Sequence, residues 1–116
     1  MRIGELSRRT GVNERLLRYY EEQGLLAPDR LPSGYRVYAE SDVDLVGRIR
    51  SLLTAGLSTS VIANVLPCVT SDGDVLAPTC PRVRADLDHE YRRISAAIDD
   101  LERSRRLLGA VIDAAR

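Results

Sequence analysis

The stretch LLRYYEEQGLL, Leu16 to Leu26, read together with SGYRVY, Ser33 to Tyr38, decides how this chain folds. Leu16, Leu17 and Tyr20 stand at i, i+1 and i+4, a stripe suited to burial along one side of a short helix. Arg15, Arg18, Tyr19 and Glu22 stand at i, i+3, i+4 and i+7, so they share a second, outer edge. Gly24 ends the helix, and Pro28 prevents its early resumption. SGYRVY reads as a tight turn entering a short strand, with Tyr35 and Val37 on one side and Arg36 and Tyr38 on the other. A charged helix edge often faces only water, and a Ser-Gly turn is often an ordinary hairpin tip. The tyrosines argue for more. Four of the five in the chain, Tyr19, Tyr20, Tyr35 and Tyr38, fall in this one segment.

The residues before it set the helix in place. In IGELSRRTG, Ile3 and Leu6, with Val12 beyond the turn, give the apolar side of a first short helix, and Gly11 sits at its C′ position. Asn13 is the expected N-cap of the second helix, and Glu14 adds a favourable charge to its first turn. Two helices joined by a short turn containing Gly form a helix-turn-helix. With a wing after the second helix, the pattern is a winged helix-turn-helix.

Downstream, Ser41 is the expected N-cap of a third helix, with Asp44 as its capping-box partner. Val43, Val46, Ile49, Leu52 and Leu53 give that helix a broad apolar stripe, and it ends at Gly56. Arg48 and Arg50 project from it. Ser58 opens a fourth helix that ends at Pro67. Cys68 to Pro81, CVTSDGDVLAPTCP, has the composition of a linker loop. From Arg82 to Arg116 no proline interrupts. Leu87, Ile94, Leu101 and Leu108 repeat every seven residues, with Tyr91, Ile98 and Ile112 on the neighbouring line and Arg105 as the break. That is the seam of a coiled coil. A helix of about 34 residues is roughly 50 Å long and cannot bury such a seam alone, so it calls for a partner. Folding back on its own domain is the rival arrangement.

The expected organisation is therefore residues 1–67 as a winged helix-turn-helix domain, 68–81 as a linker loop and 82–116 as a dimerisation helix. The fold class is mainly α. At 116 residues, one small domain plus an extension fits the length. The formal net charge is zero, which argues against a simple polyanion binder. All seventeen basic residues are Arg, however, with no Lys. A GC-rich genome accounts for that, and Arg also suits bidentate phosphate and guanine contacts. No apolar run is long enough to span a bilayer, and MRIGELSRRTG carries no export signal, so the expected location is the cytoplasm. Enzyme chemistry is not expected. There is one His, no Gly-rich phosphate loop and no ligand-spaced cluster; Asp99, Asp100 and Glu102 read as a solvated helix face.

Ile3 to Leu66, and LRYYEEQGLL followed by SGYRVY above all, resembles the DNA-binding domain of MerR-family transcription regulators. The linker and long helix resemble that family's dimerisation helix, which pairs antiparallel with its twin. The resemblance implies a homodimer on pseudo-palindromic, double-stranded promoter DNA. It implies that the promoter is bent and untwisted so that RNA polymerase can use it. It makes Arg15, Arg18, Tyr19 and Tyr20 recognition-helix contacts. Ser33, Gly34, Tyr35, Arg36 and Tyr38 become the wing, and Arg50 a contact to the DNA backbone. Leu87, Tyr91, Ile94, Ile98, Leu101, Leu108 and Ile112 become the dimer interface. Leu16 departs from the family, where a Thr or similar polar residue is common. Asn13 replaces a common Ser but still caps.

No cofactor is expected, and the effector is not legible. Cys80 stands at the mouth of the long helix, where the helix dipole favours a thiolate. Cys68 lies twelve residues earlier, and His89 nine residues later reads as a surface residue. Three readings stand for the cysteines: structural residues, a redox-active thiol pair, or metal ligands. A switchless architectural or excisionase-like DNA binder is the rival of another class.

Overall fold

The computed structural model describes residues 1–72 and 75–115. Gly73 and Asp74, within the expected loop, and Arg116, at the end of the expected long helix, lie outside the described residues. The chain forms two units, Met1–Thr79 and Cys80–Arg116.

In the first unit, α1 (Ile3–Thr10) and α2 (Glu14–Glu22) are followed by the two-residue strands β1 (Asp29–Arg30) and β2 (Arg36–Val37). Helices α3 (Ser41–Thr54) and α4 (Thr59–Val65) come next, then a 3-10 turn at Leu66–Cys68. Helix α1 packs on α2 and α3, and α3 packs on α4. Their inward residues, including Leu6, Leu17, Tyr20, Val46, Ile49 and Ile62, are fully buried.

The helix ends explain why these segments stop where they do. The Asn13 side chain accepts the Leu16 amide at 2.8 Å, and the Ser58 hydroxyl accepts that of Val61 at 3.3 Å, so both expected caps form. Helices α2 and α3 end alike. The Leu25 amide reaches back to the Tyr20 carbonyl and the Gly24 amide to that of Glu21; the Leu57 amide reaches Leu52 and the Gly56 amide reaches Leu53. These are two Schellman motifs, each needing a left-handed residue. Gly24 at φ 76° and Gly56 at φ 92° supply it without a Cβ penalty. Each motif delivers a leucine, Leu25 or Leu57, into the core.

Three expectations need correction. Ser41 is the first residue of α3, and Glu40 holds the N-cap position without a side-chain cap bond. The Asp42 carboxylate instead accepts the Ala39 amide, one residue before that position, at 2.9 Å. Leu16 is not in the buried stripe; it is 38% exposed, because the α2 core face is centred on Leu17 and Tyr20. The segment read as a linker loop contains an antiparallel hairpin, β3 (Val69–Asp72) with β4 (Val75–Pro78), pairing Val69 with Pro78 and Asp72 with Val75. The Thr79 amide donates to the Cys68 carbonyl at 2.7 Å and closes its base.

The second unit is α5, Pro81–Ala114, one helix of 34 residues with Cys80 at its N-cap position and Pro81 at its first turn. Ion pairs along the helix, Arg92 to Asp88 at 3.1 Å and Arg93 to Glu90 at 2.8 Å, support it locally. Among the described residues no helix is long and apolar enough to cross a membrane.

Candidate nucleic-acid interface

Helix α2 presents Arg15, Arg18, Tyr19 and Glu22 to solvent along one edge. The edge lies opposite Leu17 and Tyr20, so burying one face orients the other. Arg18 is only loosely held, 3.8 Å from Glu14 one turn back. Asn13, Arg15, Leu16 and Tyr19 line a shallow hollow of about 290 Å³ on this edge.

The wing is the β1–β2 hairpin, with Asp29 opposite Val37 and Arg30 opposite Arg36. Its turn is closed by the Leu31 amide to the Tyr35 carbonyl and the Gly34 amide to the Leu31 carbonyl, both at 2.8 Å. Ser33, Gly34 and Tyr35 are exposed at the tip, Tyr35 by 59%. The Arg2 guanidinium lies over the Tyr35 ring, 4.2 Å from its centroid, in cation–π range. Arg2, Ile3, Arg18, Gly34, Tyr35 and Arg36 line a cleft of about 310 Å³.

Glu21 ties the wing to α2. The Arg36 Nε–H donates to its carboxylate at 2.6 Å, and the Arg30 guanidinium lies 3.5 Å away. Arg30 also donates to the Gly34 carbonyl at 3.3 Å. The backbones of Met1 and Tyr38 exchange two hydrogen bonds, the Met1 nitrogen to the Tyr38 carbonyl at 2.6 Å and the Tyr38 amide to the Met1 carbonyl at 2.7 Å.

Tyr20 is buried, as its place beside Leu17 in the apolar stripe implies, and Tyr38, expected on the same side of the wing as Arg36, is buried too. Tyr20 is 1% exposed and Tyr38 is 2% exposed. Tyr38 and Arg36 therefore do not share an outer face; Tyr38 turns inward where the strand ends. Its Oη is buried and has no hydrogen-bond partner among the described residues. Burial raises the pKa of both phenols above the ordinary tyrosine value; for Tyr38 the nearby Glu21 carboxylate adds to it. Arg50 is exposed on α3 and donates to the Thr10 carbonyl at 3.3 Å, so it serves the C-terminal end of α1.

Sequence reasoning misses Arg2 and Glu21. Nothing local marks Arg2. Glu21 had a signal: it stands four residues after Leu17, on the flank of the buried face, where a carboxylate needs a cation.

On α5 much of the seam is exposed. Tyr91, Ile98, Leu101, Leu108 and Ile112 are exposed, Leu87 and Ile94 half-buried, and Leu107 and Val111 widen the apolar face. Cys68 and Cys80 are half-buried and His89 is exposed. Among the described residues no three His, Cys, Asp or Glu side chains cluster as a metal site.

Comparison with known proteins agrees with this geometry. Residues 1–67 match the family described as MerR HTH family regulatory protein. The chain is 33% identical over 108 residues to a mercuric resistance operon regulatory protein of Bacillus cereus, covering 92% of this chain and 79% of that one. It is 34% identical over 105 residues to the HTH-type transcriptional regulator HmrR of Sinorhizobium medicae, covering 90% of this chain and 71% of that one. The crystal structure of the transcription regulator PbrR691 from Ralstonia metallidurans in complex with lead(II) superposes with a TM-score of 0.82 at 26% identity, covering 100% of this chain and 88% of that one. The exposed α2 edge, the wing and these relatives lead to one conclusion: the chain belongs to the MerR family of helix-turn-helix regulators, DNA-binding proteins that control transcription.

Proposed function

We propose that this regulator works as a homodimer on promoter DNA. Each protomer places the outer edge of α2 in a major groove and its wing beside it. The seam of α5 buries against a second copy. The observation that supports this best is the continuous cationic and aromatic surface of Arg15, Arg18 and Tyr19, flanked by the wing tip at Tyr35. Two such surfaces held by a symmetric dimer read two half-sites at a fixed spacing. Bending and untwisting the duplex between them makes the sequence's deformability part of specificity, and brings promoter elements into the register RNA polymerase uses. The test is selection of duplexes from a random pool, followed by circular-permutation gels. Inverted half-sites and a bend centre between them are expected. Unbent complexes on direct repeats would rule it out and favour the switchless architectural reading.

A second reading concerns the signal. Several relatives carry metal in their names, among them the mercuric resistance regulator and a heavy metal-dependent transcription regulator of Rhizobium meliloti. Cys80 at the N-cap position of α5 supports a thiol sensor, because the helix dipole favours a thiolate there. The donor set does not support a metal centre completed by three described ligands of one chain. Thiol titration of reduced and oxidised protein, with native mass spectrometry, separates the outcomes. Disulfide formation that changes DNA affinity supports a redox sensor, a bound ion supports a metal sensor, and inert thiols exclude both.

A further inference from the structure

The cleft between α1, α2 and the wing has an unusual charge balance. Three of its six lining residues, Arg2, Arg18 and Arg36, are arginines, and none is acidic. The three are not equally available. Arg36 is committed to Glu21 at 2.6 Å, and Arg18 has the loose pair with Glu14 at 3.8 Å. Arg2 has no carboxylate partner among the described residues; its contact is the Tyr35 ring. A cation held over an aromatic face keeps its N–H donors around the rim of the guanidinium free for an in-plane acceptor. Gly34, without a side chain, leaves the wing side of the cleft open to close backbone approach.

We propose that this cleft is the seat of one DNA backbone phosphate, and that Arg2, stacked on Tyr35, is its principal ligand with Arg18 beside it. The inference rests on the DNA-binding reading and adds a contact from outside the helix-turn-helix and wing. A phosphate there bridges recognition helix and wing. It fixes the protein's register on the duplex without reading a base.

The test uses the full chain and a duplex that the wild type selects from a random pool. Uncharged methylphosphonates are placed one at a time along each strand. The wild type loses affinity at one backbone position per half-site that Arg2→Gln ignores. Arg2→Gln flattens the log-log salt dependence by about 0.9 for each phosphate it no longer neutralises, and Arg2→Lys restores the slope. Tyr35→Phe keeps the ring under Arg2, so its interference pattern keeps the backbone position that Arg2→Gln loses. Tyr35→Ala releases Arg2 and weakens binding at unchanged slope. Identical interference patterns and slopes for wild type and Arg2→Gln overturn the proposal. So does a wild-type melting shift by inorganic phosphate equal to that by duplex and abolished in Arg2→Gln, which marks a general oxyanion site. If the wild type selects no duplex, the DNA-binding reading falls too. If Arg18→Ala flattens the slope and Arg2→Gln does not, only the Arg2 inference falls.

Discussion

The Glu21 carboxylate accepts the Arg36 Nε–H at 2.6 Å, which fastens strand β2 of the wing to the helix that carries the DNA-facing edge. The same carboxylate lies 3.5 Å from Arg30 on β1, so one acid holds both strands. Glu21→Gln keeps the shape and removes the charge. It should lower stability by about 1 kcal/mol, the scale of a partly exposed ion pair. It should also steepen the salt dependence of DNA binding, because two arginines lose their competitor for phosphate. Thermal melts and a salt titration check both, and no change in either would show that the clasp does not operate in solution.

Arg18→Ala and Tyr38→Phe should behave differently. Arg18 is exposed, and leaving one phosphate without its cation should flatten the log-log salt slope by about 0.9. Tyr38 buries a hydroxyl that has no partner among the described residues, so Tyr38→Phe removes an unsatisfied group. The variant should bind DNA as the wild type does and gain about 1 kcal/mol of stability. Weaker DNA binding by Tyr38→Phe would mean that the phenol meets the duplex.

Tyr20 and Tyr38 should ionise above the ordinary tyrosine range, near 10. Their folded pKa is raised. The stability linked to them is fully present below the unfolded value and is lost as pH rises through the folded value. Absorbance at the tyrosinate band should show two of the five phenols titrating late, together with alkaline unfolding. Tyr38→Phe should leave one late phenol. Five equivalent tyrosines would contradict the burial.

A charge placed in the α5 seam, Ile94→Asp or Leu101→Asp, should give monomers by light scattering at concentrations where the wild type is dimeric. Leu101 is exposed on its own chain, so its replacement disturbs little within the protomer. A persistent dimer would locate the interface elsewhere.

The helices were legible in the sequence because their ends are written in side chains. Asn13 and Ser58 cap as their chemistry dictates, and the Gly-Leu pairs at Gly24 and Gly56 close two helices in the same way. The hairpin after Cys68 was not legible. The strands are only four residues each, too short for a clear period-two pattern. Tyr38 reads as an outward wing residue for a related reason, whereas the spacing of Tyr20 to Leu17 already places it in the buried stripe. A phenol is apolar along its ring and polar only at its tip, so sequence alone does not say which end governs. Glu21 was readable from its spacing to Leu17; Arg2 became visible only with the wing folded against it.

The exchange of hydrogen bonds between Met1 and Tyr38 has a practical side. It puts the amino end of the chain one residue from Arg2 and the cleft beside the wing tip. A purification tag fused ahead of Met1 would emerge at that face and bring its own histidines or charges close to the duplex. Affinities measured with such a fusion would report on the tag as well as on the regulator, whereas a carboxyl-terminal tag would leave this corner native.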